Sequence, residues 1–250
     1  MLDLSDRKNY IGASDCPAVL GMSRWRTPLE VWGEKTGIIE PEDISQKLPV
    51  KLGNRLEEVV AELFVEKEGK KVHRVNEAFV HPKYDFLRCH IDRKVEGERA
   101  ILQCKTASAR KAKEWAGEEI PHEYILQEVD ELALTGYDRA YIAVLIGNED
   151  FQVKVVERDN KLQDDIIQKQ VKFWNDFVVT KIMPSVIQSK DSDVLFRLFP
   201  SAQEGERIIL TDKADQIMEG LEGLKSDFMS LKGIISQQEN ELKALLKEAE

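Results

Sequence analysis

Asp92, Gln103 and Lys105 are the residues whose types and spacing most readily do chemistry. The chain reads Phe86-Leu-Arg-Cys-His-Ile-Asp92, turns at Glu96-Gly97-Glu98, and continues Ala100-Ile-Leu-Gln103-Cys104-Lys105-Thr106. Side chains alternate along a strand, so Gln103 and Lys105 share one face while Cys104 takes the other. A hairpin over the turn brings Asp92 beside them. With glutamate at 103 the chain would present two carboxylates and an ammonium at one point. That set suits divalent-metal hydrolysis of a phosphodiester. The amide of Gln103 keeps an oxygen donor but brings no charge, which weakens cation binding. Two readings of position 103 stay open: a native glutamine, or an engineered isosteric replacement that leaves bound substrate uncut.

The flanking elements must position these groups. Ser14-Asp15 predicts the cap of a short helix running to Gly21. Thr27-Pro28-Leu29-Glu30 is a capping box with proline at the first helical position, and Gly37 closes that helix. A polar loop spans 38–49, and Leu52, Leu56, Val59, Val60, Leu63 and Phe64 mark an amphipathic helix ending near Gly69. Strands are predicted over 71–80, 85–92 and 99–105, then a short helix over 108–116. A longer helix runs from Pro121 to Thr135 and stops at Gly136. Strands at 139–146 and 151–157 flank the Gly147-Asn148 turn, and 161–179 reads as helix. This order predicts an α/β domain, a mixed central sheet flanked by helices.

From Ala214 onward the pattern changes. Ile217, Leu221, Leu224, Phe228, Leu231, Ile235, Gln238, Leu242 and Leu245 recur at alternating steps of 4 and 3. This is a coiled-coil seam with one polar core position. It predicts a helix that pairs within or between chains, or else one that packs along its own domain. The seam is still in phase near Glu250, which fits a chain that continues further. The organisation read from these signals is a domain over 1–184, a connector over 185–212 holding Pro200 and Gly205, and a helical tail over 213–250.

Composition bounds the function. Of 250 residues, 33% are charged and 42% hydrophobic, and no apolar run approaches the ~18 residues of a membrane span. The first residues lack the layout of a secretion signal, and Cys16, Cys89 and Cys104 have no metal-binding spacing. Reduced thiols in a cytoplasm are expected. A net charge of −10 argues against binding nucleic acid through bulk charge. Residues 185–250 hold 13 acidic and 8 basic residues, so half of that excess lies in the tail. Cationic residues gather instead around the suspected site: Arg24, Arg26, Arg93, Lys105, Arg110, Lys111 and Lys113.

Asp-x10-Gln-x-Lys alone is a weak signal, but its companions occur in a telling order. They are Arg7-x6-Ser14, Ala18-Val-Leu-Gly-Met-Ser-Arg-Trp-Arg-Thr-Pro28-Leu-Glu-Val-Trp32, Gly53-Asn-Arg-Leu-Glu57, Asp92 and Leu102-Gln-Cys-Lys-Thr106. Ile120-Pro-His-Glu-Tyr124-Ile-Leu-Gln127 then leads to Leu134-Thr-Gly136. Over residues 7–184 the chain resembles the YqaJ-like viral recombinase family, relatives of phage lambda exonuclease within the PD-(D/E)XK nuclease superfamily. Two positions depart from the family pattern: Arg93 stands where glycine usually follows the aspartate, and Gln103 stands where glutamate precedes x-Lys.

The resemblance implies a phage-type DNA exonuclease that degrades the 5′-ended strand of duplex DNA, leaving single strand for an annealing protein. It implies two Mg²⁺ ions, with Mn²⁺ as a substitute, and a ring-shaped homo-oligomer. Asp92 would be a metal ligand, its bland alternative being a strand-end cap. Glu57 would complete the metal shell, with Glu58 as the competing assignment. The backbone carbonyl of Cys104 would be a further ligand while its side chain packs in the core. Lys105 would orient the attacking water and screen the charge of the phosphorane. Arg7 and Ser14 would hold a terminal 5′-phosphate, guanidinium and hydroxyl each suiting phosphate oxygens. Gln127 would contact substrate or the lysine, or else be an exposed helical glutamine. Trp25, between Arg24 and Arg26, stacks on a base or packs a loop. His90 and His122 are too isolated for zinc. The rival readings are a catalytically inactive DNA-end-binding module and a coiled-coil assembly protein.

Overall fold

The computed structural model describes residues 4–186, 190–200 and 211–247. The chain divides into two compact units, Met1–Pro200 and Ser201–Glu250.

The first unit opens with a 3-10 turn at Leu4–Asn9, strand β1 (Ile11–Gly12), a second 3-10 turn at Ala13–Asp15, and helix α1 (Cys16–Val19). Helix α2 (Pro28–Lys35) starts as its capping box requires: the Thr27 hydroxyl accepts the Glu30 N–H at 3.1 Å. Helix α3 (Leu48–Glu68) ends at Gly69, whose φ of 67° is the left-handed cap that favours glycine. Strands β2 (Val72–Arg74), β3 (Phe79–Val80), β4 (Leu87–Cys89), β5 (Arg93–Val95) and β6 (Ala100–Ala107) follow. A 3-10 segment at Ala109–Trp115 leads to α4 (His122–Thr135), which Gly136 closes at φ 70°. Strands β7 (Arg139–Ile146) and β8 (Asp150–Glu157) form a hairpin, and α5 (Asn160–Phe173) begins with Asp159 capping the Leu162 N–H at 3.0 Å.

Five strands form a mixed sheet in the order β2-β5-β6-β7-β8, parallel only between β6 and β7. A smaller sheet runs β1-β4-β3. Alternation sorts β6 and β7 between two cores. Leu102, Tyr141 and Ala143 point to α3, where Val60, Ala61 and Phe64 meet them. Ile101, Ile142 and Val144 point to the opposite face, against Val129 and Leu132 of α4 and Ile166 and Ile167 of α5. Both faces of β7 are therefore covered, which explains its nearly unbroken apolar run. The expected α/β architecture, a mixed sheet flanked by helices, is what the chain adopts.

Local expectations fare unevenly. The strand foreseen over 71–80 is two short strands in different sheets. Ser14-Asp15 does not cap α1 with a side chain. Asp15 instead turns inward to Lys35 at 2.7 Å and Arg26 at 2.5 Å. The helical reading of 161–179 changes pitch, becoming a π-helix over Trp174–Val179. Within the stretch read as connector, helix α6 (Asp191–Leu198) packs on α2: Val194 is buried and Arg197 pairs with Glu30 at 2.9 Å. The other landmark of that stretch, Gly205, lies outside the described residues.

The second unit holds one continuous helix, α7 (Asp212–Lys247). Leu221, Leu224, Phe228, Leu231, Ile235, Leu242 and Leu245 of its seam are all exposed. Among the described residues, no helix is long and apolar enough to cross a membrane.

Candidate active site

The antiparallel register pairs Arg93 with Leu102, which sets Asp92 at the level of Gln103. The Asp92 carboxylate then accepts the backbone N–H of Cys104 at 2.8 Å. Gln103 and Lys105 share the β6 face turned to α4, and Cys104 packs on the α3 side with Phe64 and Val60. The Lys105 ammonium donates to the Gln127 side-chain oxygen at 3.2 Å and lies 5.3 Å from the centre of the Tyr124 ring. Gln127 in turn donates to Glu131 at 2.8 Å. Asp92, Gln103, Lys105 and Gln127 are thus gathered where β5 begins, against β6 and α4.

Glu57 and Arg93 account for each other. The Arg93 side chain is buried and grips two carboxylates of α3, Glu57 at 2.6 Å and Glu58 at 2.8 Å, while donating to the Asp92 carbonyl at 2.8 Å. Arg74 adds a second contact to Glu57 at 2.8 Å. Glu57 lies close enough to Asp92 to repel it, yet its charge is already compensated. A glycine after Asp92 would leave that carboxylate untied; this chain fills the space with a guanidinium.

Sequence reasoning missed Glu128 and Glu131. Both are fully buried on α4, facing the site. Neither Glu128 oxygen has a hydrogen-bond partner, and one Glu131 oxygen lacks one too. Burial pushes Glu128 up to about 8, with Asp92 adding repulsion and Lys105 opposing it. Burial and the charge of Glu128 push Glu131 well above the carboxylate range. Burial likewise raises Asp92, against the pull of Lys105. A signal existed: on a helix Tyr124 and Glu128 lie four apart, as do Gln127 and Glu131, so all four share the face that carries Gln127.

The donor set can be tested against a metal. Among the described residues, no group of three His, Cys, Asp or Glu is arranged to hold an ion. Two causes are visible: position 103 offers an amide, and Glu57 is turned into Arg93. The chemistry nevertheless suits a hard cation. The Gln103 side-chain oxygen is buried without a partner, as are the Glu128 oxygens, and Asp92 lies alongside. Buried orphan acceptors are rare and call for a proton, water or ion, and an oxygen-only lining is what Mg²⁺ or Mn²⁺ takes. Burial and the charge of Asp92 raise the Cys104 thiol, whose side chain packs on the α3 side.

Arg7 and Ser14 are brought together, the guanidinium 3.4 Å from the hydroxyl, with both residues exposed. Behind them Lys35 donates to the Arg7 carbonyl at 2.9 Å and to Asp15. The pair lies toward the site: β1 pairs in parallel with β4, and burial together with the nearby Arg7 lowers the pKa of His90, two residues before Asp92. Trp25 is half exposed, 6.0 Å from the Tyr124 ring, with Arg24 and Lys111 over it at 5.5 and 5.3 Å. Trp25 and Lys105 both lie near the Tyr124 ring. Of the cations gathered near the suspected site, Arg26 pairs with Asp15 and Glu34, and Arg24 with Glu114 and Glu123.

Comparison with known proteins agrees with this architecture. The chain is 37% identical over 250 residues to the uncharacterized protein YqaJ of Bacillus subtilis strain 168, covering 99% of this chain and 78% of that protein. The crystal structure of an alkaline exonuclease, LHK-Exo, from Laribacter hongkongensis superposes with a TM-score of 0.60 at 16% identity, over 71% of this chain and 91% of that one. The same enzyme in complex with dAMP gives 0.59 at 18% identity, with the same coverage. At such identities these structures speak for the fold. The sequence model of the YqaJ-like viral recombinase domain matches residues 4–138, and with the relative above it places the chain: it belongs to the YqaJ-like viral recombinase family.

Proposed function

We propose that this chain is a metal-dependent DNA exonuclease of phage recombination, degrading the 5′-ended strand of duplex DNA. The observation that carries the reading is the convergence of Asp92, Gln103 and Lys105 beside Gln127. Asp92 and Gln103 would hold Mg²⁺, which when bound polarises the scissile phosphate and lowers the pKa of water. Lys105, steadied by Gln127, would place a cation against the negative charge that grows on the phosphate, and hold the attacking water. Arg7 and Ser14 would fork onto the terminal 5′-phosphate and set direction. Trp25 would receive an unpaired base at the mouth of the site. Mn²⁺ would replace Mg²⁺. An annealing protein would take the single strand left behind, in the cytoplasm of a bacterial host. Self-association, as a ring or through the seam of α7, would keep the enzyme on its substrate.

Gln103 itself favours a second reading, a DNA-end-binding module that does not cut. One comparison decides. Duplexes with 5′-phosphate or 5′-hydroxyl ends are digested in Mg²⁺ by the wild-type chain, Lys105→Ala and Gln103→Glu. Loss of the lysine should lower the rate by about 10²–10⁴-fold, and Gln103→Glu should raise it. The phosphorylated end should be preferred. End binding without cutting by every variant would establish the module instead, and equal use of both ends would remove the Arg7–Ser14 assignment.

A further inference from the structure

We infer that Glu128 of α4 supplies the negative charge that position 103 lacks, as an oxygen ligand of the divalent cation held beside Asp92. This rests on the metal-nuclease reading and deepens it. A two-carboxylate site that loses one acid to an amide should bind cations poorly, unless another carboxylate enters from a neighbouring element. Helix α4 faces Gln103 and Lys105, and the side chains it brings there are Tyr124, Gln127, Glu128 and Glu131. Gln127 is used by Lys105, and Glu131 by Gln127. Glu128 is left fully buried, both oxygens without a partner, within electrostatic reach of Asp92 and Lys105.

A second observation points to the same place independently. The Gln103 side chain is 93% buried, being 7% exposed, and its oxygen also has no donor. Strand and helix thus each bury unpaired acceptors in the neighbourhood of Asp92, and Lys105 is bonded to Gln127. Glutamate buried merely for packing would be expected to find a donor, as Asp15 and Asp130 do. Glu57 is engaged by Arg93 and Arg74, both through one carboxylate oxygen, and its charge is compensated there. The active centre of this chain therefore has its second acid on the helix, where the sequence motif would place it on the strand.

The inference is tested with Mn²⁺ alone, titrated into the full chain and followed by calorimetry and electron paramagnetic resonance. Duplex digestion is measured in parallel. Wild type should bind Mn²⁺, and Glu128→Gln should weaken binding at least about tenfold. Asp92→Asn should do the same. The exchange variant Gln103→Glu/Glu128→Gln should return to within about threefold of wild type, since it moves the charge without changing its amount. That recovery also separates lost charge from damaged packing. Wild-type affinity in Glu128→Gln with loss in Asp92→Asn would overturn this inference and leave the metal reading standing. Failure of the exchange variant to recover would overturn it too. If the wild-type chain binds no Mn²⁺ and Gln103→Glu neither binds it nor cuts, the metal reading falls, and Glu128 with it.

Discussion

Asp15 and Glu128 are both fully buried carboxylates within one unit, and their surroundings are opposites. Burial alone would raise Asp15, but Lys35, Arg26 and Arg7 reverse that and hold it well below the usual range. Each of its oxygens has a cation within 2.7 Å. Glu128 is raised to about 8, has no partner on either oxygen, and sees one cation already bonded elsewhere. The first arrangement ties α1 to α2 and supports Arg7 from behind. The second leaves an acid in a low-dielectric space, which folding alone does not favour. A buried acid left without partners, next to groups of catalytic type, is the pattern expected of a functional site rather than a scaffold.

Breaking the satisfied acid should cost most. Asp15→Ala strands the buried Lys35 ammonium, and removing one partner of such a pair destabilises by about 3–5 kcal/mol. Urea unfolding at neutral pH measures this. A change under about 1 kcal/mol would mean that the network contributes little to stability. The same group sets an acid limb. Its folded pKa is depressed, so its stabilisation is present above the unfolded value of 3.8 and is lost as pH falls below it.

The unsatisfied acid should act in the opposite direction, on the alkaline side. Its folded pKa is raised, so its contribution is complete below the ordinary 4.5 and disappears as pH rises through about 8. In metal-free buffer the thermal midpoint of wild type should fall across this range. Glu128→Gln, which cannot ionise, should fall less steeply. Parallel curves for the two proteins would mean that Glu128 is not held in the environment described. Added Mn²⁺ should lift the wild-type midpoint most at the alkaline end, because binding to the folded state stabilises it by mass action.

How much of this was legible turns on what sets each feature. Period and punctuation gave α4 between Pro121 and Gly136, β6 and the β7–β8 hairpin, because local physics decides them. Alternation alone placed Gln103 and Lys105 together and turned Cys104 away. The split of 71–80 between two sheets was not legible, since strand pairing is a tertiary choice. Neither was the fate of Arg93. As a sequence letter it was a departure from a pattern, and only the packing of α3 on the sheet shows it gripping Glu57. Glu128 and Glu131 were passed over because acids on a charged chain read as solvent-facing. Their burial follows from α4 being covered on several sides, by the five-stranded sheet, α1 and α5.

The smallest expected effect separates two tryptophans that flank one ring. Tyr124 stacks on Trp115 at 5.2 Å and meets Trp25 at 6.0 Å. Trp115 is 1% exposed and belongs to the core, whereas Trp25 is 52% exposed and carries Arg24 and Lys111 over its face. An exposed indole with Lys111 and the ion-paired Arg24 near its ring gains little for folding but offers a base a surface to stack on. Trp25→Ala should therefore leave unfolding within about 0.5 kcal/mol of wild type. It should weaken binding of a single-stranded overhang by about 1–3 kcal/mol, measured by fluorescence anisotropy. Binding to a blunt duplex should change less, because no unpaired base is there to stack. Equal losses on both substrates would mean that Trp25 orders the loop carrying Arg24, and stacking would then be excluded as its role.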